Sequence, residues 1–276
     1  MILVNGEVRQ NIDVFDRGFQ YGDGLFETIE VDNGRPVFLD RHFSRLEHGC
    51  RRLKIPCPDL NLLTAEATRL SDSVVRAVLK IIVTRGAGGR GYRQPDSVWP
   101  TRVVSLHPFP DYPEVFEREG ICARFCLTRL GLNPALAGIK HLNRLEQVMA
   151  RAEWNDPAIQ EGLMLDLDGH VIEGTMTNLF YIRDGRLHTS PVSAAGIAGI
   201  TRSVIIELAD LHRLELAQHY FDTCELLAAE EIFVCNSVIG LWPIIRLANQ
   251  TFTVGPVTLK ISQWLADYKQ QWLCRC

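Results

Sequence analysis

The feature that most constrains the fold is a proline-rich run near the middle of the chain. His107 to Gly120 reads HPFPDYPEVFEREG, with three prolines and no helical or alternating pattern before Glu114. Such a run is typical of a connection rather than of a packed element, because proline restricts its own backbone and that of the residue before it. A chain of 276 residues also lies where one core tends to divide. We therefore predict an N-terminal domain at 1–107, a linker at 108–120 and a larger C-terminal domain at 121–276.

Composition excludes several classes of protein. A net charge of −4 with mixed signs gives no global attraction to nucleic acid or to an anionic membrane. No apolar run reaches the length of a membrane span, and MILVNGEVRQN lacks the basic region and cleavage site of a secretory signal, so we expect a cytoplasmic protein. The eight cysteines form no C-x-x-C pair, and we expect free thiols and no metal. Cys122 with Cys126, and Cys274 with Cys276, are the alternative ligand pairs.

The N-terminal part reads as a sheet with helices. Asn5-Gly6 predicts a hairpin turn, Leu25 to Val31 a strand, and Asp32-Asn33-Gly34 a second hairpin turn. A helix after Asp40 would turn Phe43, Leu46, Cys50 and Leu53 to the core and place Arg45 on another flank.

The run from Arg85 to Arg93, RGAGGRGYR, holds four glycines and three arginines in nine residues. It suits a loop that presents guanidinium groups and backbone donors to an anion. A plain hairpin loop and an RNA-binding RGG-like segment are the alternatives, and the acidic charge of the chain disfavours RNA.

The most informative stretch is GIKHLNRLEQVMA, from Gly138 to Ala150. Lys140 comes just before a segment with helical periodicity, whose predicted packed face is Leu142, Leu145, Met149 and Ala152, in a helix that continues to about Trp154. A lysine beside apolar neighbours loses solvation, so its amine becomes available as a nucleophile and proton carrier. A solvated surface lysine is the alternative.

The C-terminal part reads as a meander followed by helices. Leu163 to Leu167, Val171 to Glu173 and Asn178 to Ile182 predict strands, with glycine turns between them. Gly199-Ile200-Thr201-Arg202 leads into a strong helix, whose glycine-led N-terminus is either a phosphate-binding site or an ordinary loop-to-helix junction.

These features fit one cofactor. Pyridoxal phosphate needs a lysine for its aldehyde, a carboxylate such as Glu173 beside its ring nitrogen, and backbone, hydroxyl and guanidinium donors for its phosphate. Ile200, Thr201 and Arg45 would supply such donors.

The motifs also resemble a known family. GIKHLNRLEQV, EGTMTNLF, GITR and RHFSRLE together look like the pyridoxal-phosphate enzymes of fold type IV, which include branched-chain and D-amino-acid aminotransferases and aminodeoxychorismate lyases. The match runs nearly end to end, and DRGFQYGDGLFET and RGAGGRGY look most like the lyases. The resemblance implies a two-domain α/β and α+β fold, with a small α/β N-terminal domain, a larger α+β C-terminal domain, and a homodimer.

The resemblance assigns roles residue by residue. Lys140 would bind the cofactor covalently and Glu173 would pair with its ring nitrogen. The other cofactor contacts implied are Arg45, Asn178, Ile200, Thr201, Asn236 and Ser237. The expected substrate is 4-amino-4-deoxychorismate, a small molecule with two carboxylates, and Arg90, Tyr92 and Arg93 are its expected contacts.

The implied reaction is elimination of pyruvate to give 4-aminobenzoate for folate synthesis. Lys140 would move the proton, and Thr28 would protonate the departing group unless it is simply a strand-forming residue. EGTMTNLF equally suits an aminotransferase, which is the alternative within the family. A non-catalytic anion- or nucleotide-binding protein is the alternative outside it.

Overall fold

The computed structural model describes residues 1–275, which form two compact units. The first contains Met1–Pro110, Ile139–Asn143 and residues 272–275, and the second contains Asp111–Gly138 and Arg144–Gln271. No helix in the part described is long and apolar enough to span a membrane.

The first unit is a six-stranded antiparallel sheet with helices. Its strands are β1 (Ile2–Val4), β2 (Glu7–Val8), β3 (Gly24–Asp32), β4 (Arg35–Pro36), β5 (Arg76–Thr84) and β6 (Thr101–Pro108), and its helices are α1 (Arg17–Tyr21), α2 (Leu39–Leu53) and α3 (Leu60–Ser71). The strand order is β2-β1-β6-β5-β3-β4. Asn5 and Gly6 both have positive φ, as the predicted hairpin turn requires. The predicted strand at 25–31 is confirmed as part of β3.

Alternation along the central strands separates the two faces of this sheet. Leu25, Ile29, Leu79, Ile81 and Val83 are buried on the face that packs against α2, whose own Phe43, Leu46 and Cys50 are buried as predicted. The opposite face carries half-buried residues of β3 and β5, namely Phe26, Thr28, Lys80 and Ile82. We call these four residues the open face.

The second unit is built on a nine-stranded sheet. Its strands are β7 (Ile121–Leu130), β8 (Glu161–Asp166), β9 (Val171–Gly174), β10 (Asn178–Arg183), β11 (Arg186–Thr189), β12 (Leu216–Gln218), β13 (Glu231–Asn236), β14 (Gly240–Leu247) and β15 (Gln250–Thr251). Its helices are α4 (Val115–Glu119), α5 (Leu145–Arg151), α6 (Ile200–Leu211), α7 (Thr223–Leu227) and α8 (Pro256–Arg275), the last turn of which belongs to the first unit. The predicted meander is confirmed as β8, β9 and β10. Because β9 pairs with both β8 and β10, six strands close into a ring in the order β10-β13-β14-β7-β8-β9.

The run predicted as a linker has structure of its own. Within 108–120, α4 packs on β14, and Tyr112 and Phe116 lie edge-on against Trp242 with ring centroids 4.9 and 5.3 Å away. The change from the first unit to the second falls after Pro110.

The helix after Lys140 differs from its prediction. It begins at Leu145 and ends at Arg151, and Leu145 and Met149 are 76% and 61% exposed. The predicted packed face of Leu142, Leu145, Met149 and Ala152 is therefore wrong. Gln147 and Ala150 are buried instead, because this short helix turns its small residue, Ala150, towards a cluster that contains Cys126, Trp154 and Met164.

Candidate active site

Lys140 is positioned by β3 and not by the helix that follows it. The Phe26 amide donates to the Lys140 carbonyl over 3.0 Å, and the Leu142 amide donates to the Gly24 carbonyl over 3.0 Å. A bridge between Leu25 and His141 completes this short antiparallel pairing. The Lys140 Nζ lies 4.2 Å from the centroid of the Phe26 ring. Strand pairing thus places the ammonium on the side of β3 that carries the open face.

Arg45 belongs to a buried network with Glu27 and His42. Its Nε donates to Glu27 Oε1 over 2.9 Å and its Nη2 donates to the other carboxylate oxygen. His42 Nδ1 lies 2.6 Å from Glu27 Oε2, and both residues are almost completely buried. Burial alone would raise the pKa of Glu27, but Arg45 and His42 outweigh it and hold that pKa at about 2. Glu27 is therefore ionised and fixes the direction of the Arg45 guanidinium.

His42 is the neutral member of this network. Complete burial lowers its pKa, and the partly opposing attraction of Glu27 does not offset this. A neutral imidazole has one N–H, and its short contact with a carboxylate assigns that proton to Nδ1. His42 then donates to Glu27 without adding charge.

Thr28 and the three loop residues are in different environments. Thr28 is half-buried in β3, directly opposite Lys80 of β5. Arg90 is exposed, and Tyr92, which is 87% exposed, lies edge-on to Tyr21 with centroids 5.6 Å apart. Arg93 pairs with Asp96 on the surface. The structure brings Thr28 to the open face, whereas the three loop residues project from the surface of the first unit.

Glu173 is placed by an irregularity in β9. Met164 pairs with Glu173 but Leu165 pairs with Val171, so β9 has one more residue than its partner at Ile172. Ile172 lies in the same cluster as Met164, while Val171 lies in a separate apolar cluster with Leu165. The β-bulge therefore puts Glu173 on the Met164 side of the sheet instead of the Val171 side that strict alternation would give.

The Glu173 carboxylate is buried and hydrogen-bonded. Its Oε2 accepts from the Ile197 amide over 2.8 Å and from Asn178 Nδ2 over 3.4 Å. Asn178, which pairs with Glu173 across β9 and β10, also donates to the Ile197 carbonyl over 2.9 Å. Two donors fix the direction of the carboxylate, and Asn178 links it to the loop that leads into α6.

The start of α6 has no side-chain cap. Gly199 is its N-cap and makes no side-chain capping bond, so the first amides of the helix have no side-chain acceptor. Ile200 and Thr201 are buried immediately after it. Arg202 fixes the helix by donating to the Ser190 carbonyl and to Gln218 Oε1 over 3.0 and 2.9 Å. The positive end of this 12-residue helix is therefore held rigidly.

Asn236 and Ser237 lie at the end of β13 and differ in what they offer. Asn236 donates to the Met176 carbonyl and accepts from the amides of Val238 and Ile239, so it orders the turn before β14. The half-buried Ser237 hydroxyl has no hydrogen-bond partner among residues 1–275. Of the two side chains, Ser237 is the better placed to donate to a ligand.

The donor set fits pyridoxal phosphate. Glu173 is a fixed carboxylate, the start of α6 has no side-chain cap, Thr201 and Ser237 carry hydroxyls, and Lys140 and Arg45 carry an amine and a guanidinium group. A carboxylate suits a protonated ring nitrogen, and amides, hydroxyls and a guanidinium suit a phosphate.

We expect Gly199→Ala to weaken cofactor binding about tenfold or more. A Cβ at Gly199 would lie 2.0 Å from Asn178 Oδ1, so Asn178 would have to leave its bonds to Glu173 and Ile197. Titration of the apoprotein with pyridoxal phosphate, followed by absorbance, measures the dissociation constant. Gly89→Ala is the control for cofactor affinity, because a Cβ there meets nothing within 4 Å. An unchanged constant in Gly199→Ala would contradict the role given to this junction.

Sequence reasoning missed the partners that orient these groups. The motifs do not indicate Glu27 or His42. The one sequence feature that could have indicated Glu27 as a buried partner is an ionisable residue at an inward-facing position of β3. The Ile197 amide carries no side-chain signal, and Lys80 lay inside an apolar run that reads only as a buried strand.

The sequence pattern of the amino-transferase class IV family matches residues 24–247, and the chain belongs to this family. An aminodeoxychorismate lyase from Vibrio harveyi is 34% identical over 265 residues, which are 95% of this chain and 98% of that protein. A D-alanine aminotransferase from Bacillus licheniformis is 28% identical over 280 residues, 96% of each chain. The crystal structure of 4-amino-4-deoxychorismate lyase from Pseudomonas aeruginosa has 44% identity and a TM-score of 0.93, covering 97% of this chain and 98% of that one. These likenesses confirm the predicted family and the fold type IV architecture.

Proposed function

We propose that the chain is a pyridoxal-phosphate-dependent 4-amino-4-deoxychorismate lyase, which eliminates pyruvate to give 4-aminobenzoate for folate synthesis. Membership of the family and near full-length similarity to two proteins with this name support the proposal. The observation that carries it is the arrangement on β3, where Lys140 lies over Phe26 and Thr28 lies two residues further along on the same face. An elimination needs a base and a proton donor, and this face presents an amine and a hydroxyl.

The proposed cofactor contacts divide among the aldehyde, the ring nitrogen and the phosphate of pyridoxal phosphate. Lys140 holds the cofactor covalently through its amine, and Glu173 keeps the ring nitrogen protonated. The amides at the start of α6 and the hydroxyls of Thr201 and Ser237 hold the phosphate together with Arg45. Asn178 and Asn236 keep Glu173 and the turn after β13 in place. When bound, pyridoxal phosphate supplies an aldehyde that joins to an amine and a ring that accepts an electron pair.

The side chains then divide the proton transfers. Lys140 Nζ takes the proton from C4 of the substrate ring. Thr28 Oγ1 gives a proton to the enolpyruvyl group, which leaves C3 and is released as pyruvate. Loss of the C4 proton and of the C3 enolpyruvyl group makes the ring aromatic, so the elimination is strongly downhill. Lys140 would hold the cofactor in the resting protein and would be free as a base while the substrate amine occupies the aldehyde, and 4-aminobenzoate would be released when the lysine amine takes that position again.

The glycine-rich loop supplies the remaining proposed substrate contacts. Arg90 and Arg93 are exposed guanidinium groups suited to a carboxylate, and Tyr92 forms a wall beside Tyr21. Arg17 Nη1 donates to the Gly91 carbonyl over 2.9 Å, which holds the middle of the loop.

The deciding experiment is a product assay. The purified protein is incubated with pyridoxal phosphate and 4-amino-4-deoxychorismate, and 4-aminobenzoate and pyruvate are measured by chromatography. The proposal expects both products in equal amounts. The same protein is then given D-alanine or leucine with 2-oxoglutarate. Keto-acid formation without 4-aminobenzoate would refute the lyase.

The second candidate is a branched-chain or D-amino-acid aminotransferase, favoured by the similarity to a D-alanine aminotransferase over 96% of the chain. Such an enzyme would use Lys140 to return a proton and would have no need for Thr28 as a donor.

A protein that only binds an anion would stay colourless with pyridoxal phosphate, and its absorbance would not respond to borohydride.

We also infer a homodimer that works in the cytoplasm. Leu145, Val148 and Met149 form an exposed apolar stripe on α5, spaced so that they share one side of the helix. Apolar stripes of this kind are typical of subunit interfaces. The seven cysteines in the described part of the chain are free, which suits a reducing compartment.

We expect Val148→Asp to convert the dimer to a monomer, because a carboxylate in an apolar interface loses its hydration. Sedimentation velocity measures the change. Val75→Asp alters another exposed valine, outside α5, and should leave the dimer intact. A monomeric wild type would contradict the dimer, and a dimeric Val148→Asp would contradict the role of this stripe.

A further inference from the structure

Glu161, the first residue of β8, is a buried acid that the proposed chemistry does not use. Its Oε1 accepts from the Gly162 amide over 2.8 Å and from the Thr175 amide and hydroxyl over 3.1 and 2.6 Å. Its Oε2 accepts from the Thr177 hydroxyl over 2.8 Å and from the Met176 amide over 3.4 Å. All but one of these donors therefore belong to a single short loop.

This loop, residues 175–177, joins two residues of the candidate site. It connects β9 to β10 and lies between Glu173 and Asn178, which pair across those strands. The chain wraps closely around the acid, since a Cβ at Gly174 would lie 2.7 Å from Glu161 Oε2. The positions of Glu173 and Asn178 thus depend on a loop that is shaped around the Glu161 carboxylate.

The same loop also supports the turn after β13. The Met176 carbonyl accepts from Asn236 Nδ2 over 3.1 Å. Asn236 Oδ1 in turn accepts from the Val238 and Ile239 amides over 2.8 and 2.9 Å, which orders the turn that carries Ser237. One carboxylate is therefore connected, through the loop, to the acid proposed for the ring nitrogen and to a hydroxyl proposed for the phosphate.

No cation compensates Glu161. Burial raises the pKa of its carboxyl, and the hydrogen bonds from Thr175 and Thr177 oppose this rise. No lysine, arginine or histidine in the described part of the chain pairs with it. Removing an acid from water is costly, and here hydrogen bonds alone offset that cost.

We infer that Glu161 is a positioning residue for the cofactor, which sets the direction of Glu173 and the place of Ser237 by holding the 175–177 loop. The inference rests on the proposed function, which assigns Glu173 to the ring nitrogen and Ser237 to the phosphate. Loss of the Glu161 carboxylate should therefore disturb both ends of the cofactor at once.

The test is Glu161→Gln. Glutamine presents one oxygen and one NH2 group, so at least one of the three backbone amides that now face the carboxylate must face a donor. The dissociation constant for pyridoxal phosphate, measured by absorbance, should rise about tenfold. The pH midpoint of the colour change of the loaded protein should rise by about one unit, because a ring nitrogen without its proton no longer repels the proton on the Lys140 nitrogen.

Glu231→Gln is the matched control. Glu231 is also the buried first residue of a strand, β13, and accepts from the Val257 and Thr258 amides over 3.1 and 2.7 Å, at the start of α8. This variant should lower the melting temperature but leave the dissociation constant and the colour midpoint unchanged. A purely structural role for Glu161 would give the same result in Glu161→Gln.

Thr177→Val and Thr177→Ser test the same contact if Glu161→Gln does not fold. Valine removes the hydroxyl that donates to Glu161 and keeps the volume, so it should weaken cofactor binding and raise the colour midpoint. Serine keeps the hydroxyl and should behave almost as the wild type.

Hydrogen exchange of the apoprotein reads the loop without cofactor or turnover. Glu161→Gln should speed exchange of the amides at 175–177 and at 238–239, whereas Glu231→Gln should not. If the wild type forms no 4-aminobenzoate, the proposed function fails, and the exchange and the cofactor titration still test Glu161. An unchanged dissociation constant and colour midpoint in Glu161→Gln, with or without a lower melting temperature, would overturn the inference.

Discussion

Lys140→Ala is expected to abolish 4-aminobenzoate formation, lowering kcat by more than about 10⁴-fold. The variant loses both the amine proposed to hold the cofactor and the base proposed to take the substrate proton. The backbone should be unaffected, because the pairing of Lys140 with Phe26 uses the main chain and alanine preserves it. A stopped assay for 4-aminobenzoate gives the rate, and the absorbance of the cofactor-loaded protein reports the covalent link.

Reduction with borohydride identifies the lysine independently of activity. Treatment of the loaded wild type should fix the cofactor mass on the peptide that contains Lys140. Lys260→Ala changes an exposed lysine on α8 and should retain both colour and rate. A Lys140→Ala protein that stays yellow and turns over at a near-normal rate would disprove the assignment.

Glu27→Gln should lower the free energy of unfolding by about 3 kcal/mol at neutral pH. The substitution removes a buried charge that Arg45 and His42 both contact, and leaves the Arg45 guanidinium inadequately compensated. Urea unfolding measures the loss. Glu47→Gln on α2 breaks an exposed pair with Arg51 and should change stability by less than about 0.5 kcal/mol.

The pH dependence of stability gives a second measure of Glu27. Its pKa is about 2 in the folded protein, against a reference of 4.5. A lowered pKa stabilises the fold at pH values above the unfolded pKa, and this contribution is lost as the pH falls through the folded pKa. About 3 kcal/mol should therefore disappear between roughly pH 5 and pH 2 in the wild type. Glu27→Gln should lack this component, and an equally steep decline in the variant would contradict it.

Local patterns were sufficient for much of the fold. The Asn5-Gly6 turn, the strand at β3, the apolar face of α2 and the meander at β8 to β10 were all predictable, because each follows from short-range periodicity or turn chemistry. The closing of six strands into a ring depends on the pairing of β9 with β10, which has no local signature.

The helix after Lys140 shows where periodicity fails. Apolar residues at helical spacing predicted a packed face, yet Leu145 and Met149 are exposed while Gln147 is buried. Space beside Cys126 and Trp154 favours Ala150, and tertiary packing outweighed the pattern. Motif resemblance proposes Lys140, Glu173 and Arg45 as site residues. The groups that orient Arg45 and Glu173, namely Glu27 and the Ile197 amide, depend on three-dimensional neighbours that no motif indicates.

The extra residue in β9 also sets which changes in chain length the protein can accept. The turn between β8 and β9 is exposed at Leu167, and a Cβ at Gly169 meets nothing within 4 Å, so added residues there would extend into solvent. Between Val171 and Asn178 the residue count is fixed, because one insertion or deletion would turn Glu173 to the opposite side of the sheet or break its pairing with Asn178. Related chains should therefore vary in length at the first place and stay constant at the second.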